Sequence, residues 1–223
     1  MKQLTLFLVL LTSTLSLAQV TRNVGDFTKI SVFDKIQVAL IQSDENKVVL
    51  DGVNAAEVEV VNKNGLLKLR LPLVKFLSGQ QIEAKIYYTE LTSIMVAEGS
   101  KVISNSVIKS SDLTLESKEG SKITLDLDVE NLNIKAYTGS ELNISGNSQN
   151  MDALINTGAD LKAKDLTVKH AIVNVNTGGI ASVTAIDYLS VKVVAGGSVF
   201  VYGNPAKLSQ SVTAGGSIII NKE

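Results

Sequence analysis

From residue 91 to residue 220, apolar and polar positions repeat in a fixed frame around a glycine. The glycines are Gly99, Gly120, Gly139, Gly158, Gly178, Gly196 and Gly215, at intervals of 21, 19, 19, 20, 18 and 19 residues. Three positions after each stand Val102, Ile123, Leu142, Leu161, Ala181, Val199 and Ile218. Three positions before stand Val96, Ser117, Ala136, Ile155, Val175, Val193 and Val212. Five positions out on either side the residues are again mostly aliphatic, from Ile94 and Leu115 to Val201 and Ile220. Each unit therefore reads apolar-x-apolar, turn, apolar-x-apolar, which is the period of a strand and not of a helix.

A single unit of this kind cannot bury its own apolar stripe, whereas stacked units cover one another at about 4.8 Å per rung. A constant period near 20 with strand character predicts a solenoid, specifically a parallel β-helix. Its right hand follows from the general twist preference of such crossovers. The glycine supplies a sharp corner that requires positive φ. The next residue is small in every unit: Ser100, Ser121, Ser140, Ala159, Gly179, Gly197 and Gly216. An antiparallel sandwich with regular turns is the competing all-β architecture.

Residues 19–90 are strand-rich without the glycine period. Ile36, Val38 and Leu40 alternate strictly, as do Leu67, Leu69 and Leu71 after Asn64-Gly65, a strong hairpin signal. Ile82, Ala84 and Ile86 predict the last strand before the repeats, and Asn54–Glu57 a short helical turn. This part is expected to cap the front of the coil, with 91–223 forming the repeats. Phe76 and Leu77 lie in a stretch after Pro72 that reads as a loop, either tucked onto the core or exposed to a partner. The rear has no comparable cap, so the last rung is expected to be closed by self-association, giving a homo-oligomer, or by another envelope component, unless Asn221, Lys222 and Glu223 themselves discourage pairing.

Residues 1–18 read as a secretory signal: Lys2, an apolar run over Leu4–Leu11, and Ser16-Leu17-Ala18 before Gln19. The run is too short for a transmembrane span. Localisation is therefore expected in the periplasm, at the outer-membrane surface or outside the cell. A net charge of −1 gives no general attraction to nucleic acid. The chain has no Cys, which removes disulfides, thiolate metal sites and cysteine catalysis.

No motif for catalysis, a cofactor or a metal emerges. His170, the single histidine, is placed in a turn between rungs and read as a solvated side chain. Asp126, Asp128 and Glu130 share one face of a strand, but Ser145 and Asn147 stand opposite them one rung on, so they read as an outer face. Tyr137 and Tyr188 are candidate surface contacts, since sugar sites commonly use aromatic platforms. The expected function is non-enzymatic: an envelope or secreted interaction module for a protein or glycan ligand. A β-helix carbohydrate-active enzyme and a self-assembling structural element are the alternatives.

The order of motifs carries a resemblance. An export signal, Phe27-x-x-Ile30-x-Val32, the strand at Ile36–Leu40, the Asn64-Gly65 hairpin, tandem Gly-Ser corners and a late Tyr202-Gly203-Asn204-Pro205 follow one another. Together they resemble the bacterial family described as putative auto-transporter adhesin, head GIN domain, over roughly residues 24–220. The resemblance implies an exported β-helical protein of the bacterial envelope, often from Bacteroidetes, with no defined catalytic residues. The family's Gly-Ser-Gly corners here include Gly-Ser-Lys, Gly-Ser-Glu and Gly-Ala-Asp forms.

Overall fold

A computed structural model describes residues 19–72 and 82–221. The signal segment and the stretch containing Phe76 and Leu77 lie outside the described residues. Everything described belongs to one hydrogen-bonded system of 17 strands, interrupted by one 3₁₀ turn at Ala55–Glu57.

The front contributes β1 (Val20–Asn23), β2 (Lys29–Val32), β3 (Gln37–Gln42), β4 (Lys47–Asp51), β5 (Glu59–Lys63), β6 (Leu66–Arg70) and β7 (Glu83–Tyr88). Then come β8 (Ser93–Val96), β9 (Lys101–Ser104), β10 (Ile108–Ser117) and the long strands β11 (Lys122–Ala136), β12 (Glu141–Ile155), β13 (Asp160–Asn176) and β14 (Ile180–Val194). The rear holds β15 (Ser198–Tyr202), β16 (Lys207–Thr213) and β17 (Ser217–Ile220).

Parallel pairing between successive coils decides for the solenoid over the sandwich. Val102 pairs in turn with Ile123, then Leu142, Leu161, Ala181, Val199 and Ile218. Val96 leads through Ser117, Ala136, Ile155, Val175 and Val193 to Val212 in the same way. The frame read around the glycines is thus the register of the stack. The result is a β-solenoid of about seven turns with rungs near 19 residues. Aliphatic residues of the two columns are buried through Val193 and Val199, and on the last described rung Val212, Ile219 and Ile220 are exposed.

Each corner is a tight turn in which two successive residues have positive φ. At Thr138 and Gly139 the values are 52° and 65°. The Gly139 amide donates to the carbonyl of Thr157 on the next rung (3.1 Å), and Gly99, Gly120, Gly158 and Gly178 make the equivalent bond. The glycines therefore line up in a column joined by its own ladder. A methyl group at Gly120, Gly139, Gly158, Gly178 or Gly215 would meet nothing within 4 Å, so glycine is needed there for backbone conformation and not for space.

The neighbouring small residues have a packing reason. Where the inward residue before the corner is Ser117 or Ala136, the residue after it is Ser121 or Ser140. Where it is Ile155, Val175 or Val193, the residue after it shrinks to Ala159, Gly179 or Gly197, while at the first corner Val96 keeps Ser100. A methyl on Gly197 would sit 2.7 Å from Val175 Cγ1. The serines close their hydrogen bonds inside the wall: Ser121 Oγ donates to the Val96 carbonyl (2.8 Å) and Ser140 Oγ to that of Ser117 (2.9 Å).

The stacking order departs from chain order at the front. β2 pairs with both β6 and β8, and β3 with both β7 and β9, all parallel. The coil begun by β2 and β3 thus lies between the coil of β6 and β7 and that of β8 and β9. Beyond it the direction reverses: β5 is antiparallel to β6 through the Asn64-Gly65 hairpin, and β4 is antiparallel to both β7 and β1. Two rungs thus come from residues that lack the glycine period. The corner of the β2–β3 rung is Asp34-Lys35, with φ of 62° and 60° and no glycine.

Candidate functional site

Away from the glycine corner, the inside-outside alternation is interrupted. Glu130–Asn131 in β11 and Lys164–Asp165 and Lys169–His170 in β13 are consecutive exposed pairs. Such a pair bends the strand and resets which residues point outward. His170 is part of β13, not of a turn between rungs; the strand continues through the bend, and His170 pairs with Asn150 on one side and Tyr188 on the other.

Just past these bends, one outer column runs Asp112, Asn131, Asn150, His170, Tyr188 and Lys207, each in register with the next. A second column beside it runs Thr114, Asn133, Asp152, Ile172 and Ser190. Between them lies an open groove of about 350 Å³, reaching from Asp112 to Tyr188.

The first column is ordered by its own side chains. Asn131 Nδ2 donates to Asp112 Oδ1 (3.0 Å), and Asn150 Nδ2 donates to Asn131 Oδ1 (2.9 Å). These bonds orient three flat polar groups without consuming them, since each amide keeps a further N–H and each oxygen a further lone pair. Ile172 is 46% exposed on the fourth of the groove's five rungs. Tyr188 closes the far end, with Lys207 Nζ 5.8 Å from its ring centroid.

The adjoining outer side is an ionic rail. Glu141 Oε1 meets Lys162 Nζ at 2.8 Å and Lys122 Nζ at 3.1 Å. Hydrogen bonds from Lys162, then Asn143 and Lys122, hold the Glu141 carboxyl down to about 2. Bonded through Oε1 to two ammonium groups and the Asn143 amide, this carboxylate serves the wall. Asp126, Asp128 and Glu130 are exposed as expected, with Lys109 Nζ 4.0 Å from Asp128. Among the described residues, no group of three acids or histidines could hold a metal ion. Nor is any helix there long and apolar enough to cross a membrane.

Of the two candidate tyrosines, Tyr188 lines the groove, whereas Tyr137 sits half-buried at a glycine corner. The residues missed from sequence are Asp112, Asn131, Asn150 and Asp152. A signal for them existed: Asp112, Asn131, Asn150, His170, Tyr188 and Lys207 each stand eight positions before a corner glycine. The glycine frame that sets the inward positions also sets this outward column.

A family model described as putative auto-transporter adhesin, head GIN domain, matches residues 26–205. The chain belongs to this family. Several solved structures share its fold. A putative adhesin from Bacteroides fragilis superposes with a TM-score of 0.82 at 19% identity, covering 92% of this chain and 97% of that one. A protein from Parabacteroides distasonis described as a putative lipid binding protein gives 0.73 at 17% identity, covering 92% and 96%. A putative adhesin from Parabacteroides merdae gives 0.70 at 17%, again covering 92% and 96%. At these identities the likeness establishes the head GIN fold alone. No curated protein matches the chain.

Proposed function

We propose that this head GIN protein is an exported, non-catalytic interaction module of the bacterial envelope, and that the groove between Asp112 and Tyr188 is its contact surface. The observation that carries this reading is the hydrogen-bonded side-chain ladder of Asp112, Asn131 and Asn150 leading to an aromatic ring. A rigid wall presents these groups already oriented, so binding does not have to order them. The family description supports an adhesive role.

The groove's chemistry favours binding over bond cleavage. Asp112 and Asp152 are its two carboxylates, and they stand two rungs apart along the axis. Two rungs set their backbones about 10 Å apart along the axis, at the wide limit of the roughly 5–9.5 Å used by carboxylate pairs that hydrolyse glycosides. His170 has Asn150 and Tyr188 as its in-register neighbours, neither of them an acid that would orient it as a general base.

The test is capture of the chain from Gln19 onward on an array of bacterial and host polysaccharides and extracellular-matrix proteins, with Tyr188→Ala in parallel. Capture that the substitution abolishes, with the thermal melt unchanged, is the expected result. Absence of capture, or capture indifferent to Tyr188, would contradict the groove as the contact surface.

A further inference from the structure

We propose that the groove's ligand is a neutral linear polysaccharide lying along the solenoid axis, one sugar to each rung. This rests on the groove being the contact surface and adds what fills it. The first argument is repeat length. Five successive rungs each place one polar or aromatic group in the column from Asp112 to Tyr188. They advance about 4.8 Å at a time, close to the advance per residue of an extended pyranose chain. A ligand crossing the coil would meet one or two of these groups; a ligand along it meets all five.

The second argument is functional-group matching. Sugar hydroxyls both donate and accept, and so do the amides of Asn131 and Asn150 and the ring of His170, while Asp112 accepts only. The bonds between Asp112, Asn131 and Asn150 fix the planes of these groups before any ligand arrives. The exposed Ile172 and the Tyr188 ring offer apolar surface to the C–H faces of pyranose rings.

The third argument is charge. Asp112 faces the groove at one end and Asp152 on its middle rung, and Lys207 stands over Tyr188 at the other end. A uronate polymer would set carboxylates against both aspartates, so an uncharged chain fits better.

The experiment is a calorimetric titration with neutral linear polysaccharides of several linkages and with polygalacturonate, then with oligosaccharides of two to six residues from whichever neutral polymer binds. The expected result is preference for a neutral polymer, affinity that rises with length to about five residues, and a loss of about tenfold or more for Tyr188→Ala. Asn150→Ala, also with an unchanged melt, should give a smaller loss confined to oligosaccharides long enough to reach that rung. Preference for the uronate, or affinity that stops rising at two residues, overturns the proposal. Tyr188-dependent capture of a protein without any polysaccharide binding would leave the groove as contact surface and remove the sugar. No Tyr188-dependent binding of any kind would remove both.

Discussion

Two corners of the same coil solve one conformational problem with different residues. At Tyr137–Ser140 the second left-handed position is Gly139, with φ of 65°. At Phe33–Ile36 it is Lys35, with φ of 60°, preceded by Asp34 at 62°. Both corners donate the same bond to the next rung, from Gly139 to Thr157 at 3.1 Å and from Lys35 to Glu98 at 3.0 Å. A left-handed conformation costs an ordinary residue about 1–2 kcal/mol. The front corner offsets that cost with contacts the others lack. The buried Asp34 carboxylate accepts the Leu71 amide (2.8 Å) and meets Arg70 Nε at 3.5 Å, while Arg70 Nη2 lies 3.9 Å from Glu98. Stacking therefore dictates the backbone, and glycine is the inexpensive way of complying. Residues before the glycines teach the same: Glu98, Glu119, Thr138, Thr157 and Thr177 all have positive φ without being glycine.

The comparison can be broken by substitution. The largest effect is expected at a glycine outside the period. Gly146 has φ of 102°, and a Cβ there would lie 2.0 Å from the Leu127 carbonyl oxygen, where the β12–β13 register shifts. Gly146→Ala should cost more than about 3 kcal/mol in chemical denaturation, because backbone must move. Next comes Asp34→Ala, which leaves the Leu71 amide unpaired and removes the front corner's compensation. A loss of about 1–3 kcal/mol is expected, and hydrogen exchange should locate it in β2, β3 and β6.

Smaller effects separate conformation from space. Gly139→Ala, with room for its methyl, should cost about 1 kcal/mol, and Gly139→Asn less, since Asn tolerates the left-handed region. Lys35→Gly should run the other way, raising the melting temperature slightly. If Gly139→Ala were as costly as Gly146→Ala, the corner would be a packing site after all.

Much of the fold was legible because a solenoid repeats its constraints. The residues three before and three after each glycine are in-register partners in the structure. The front rungs were illegible for the same reason in reverse: Asp34-Lys35 satisfies the corner through Leu71 and Arg70, which are distant in sequence, so no local glycine marks it. Insertion of the β2–β3 rung between β6–β7 and β8–β9 is a long-range pairing that no periodicity encodes. The groove was half legible. Tyr188 was a candidate, but Asp112, Asn131 and Asn150 matter as a ladder, and a ladder exists only once rungs are stacked. His170 was misplaced because Lys169–His170 is polar, and a bend that preserves strand pairing looks like a turn in sequence.

A further modest effect, confined to acid pH, concerns the ionic rail. Glu141 is held at about 2 against an ordinary 4.5, so its contribution is complete above pH 4.5 and is lost as pH falls toward 2. Its side chain is 32% exposed, so screening limits the loss to on the order of 1 kcal/mol. Glu141→Gln should flatten that part of the stability–pH curve and leave neutral-pH binding by the groove intact.

The most direct measurement sets the two tyrosines against each other. The native chain, Tyr188→Ala and Tyr137→Ala are compared for capture on the same polysaccharide and matrix-protein array, with melts recorded for all three. Loss of about tenfold or more for Tyr188→Ala and little change for Tyr137→Ala is the predicted outcome. Equal retention by both variants, or a loss confined to Tyr137→Ala, would contradict the assignment of the contact surface to the groove.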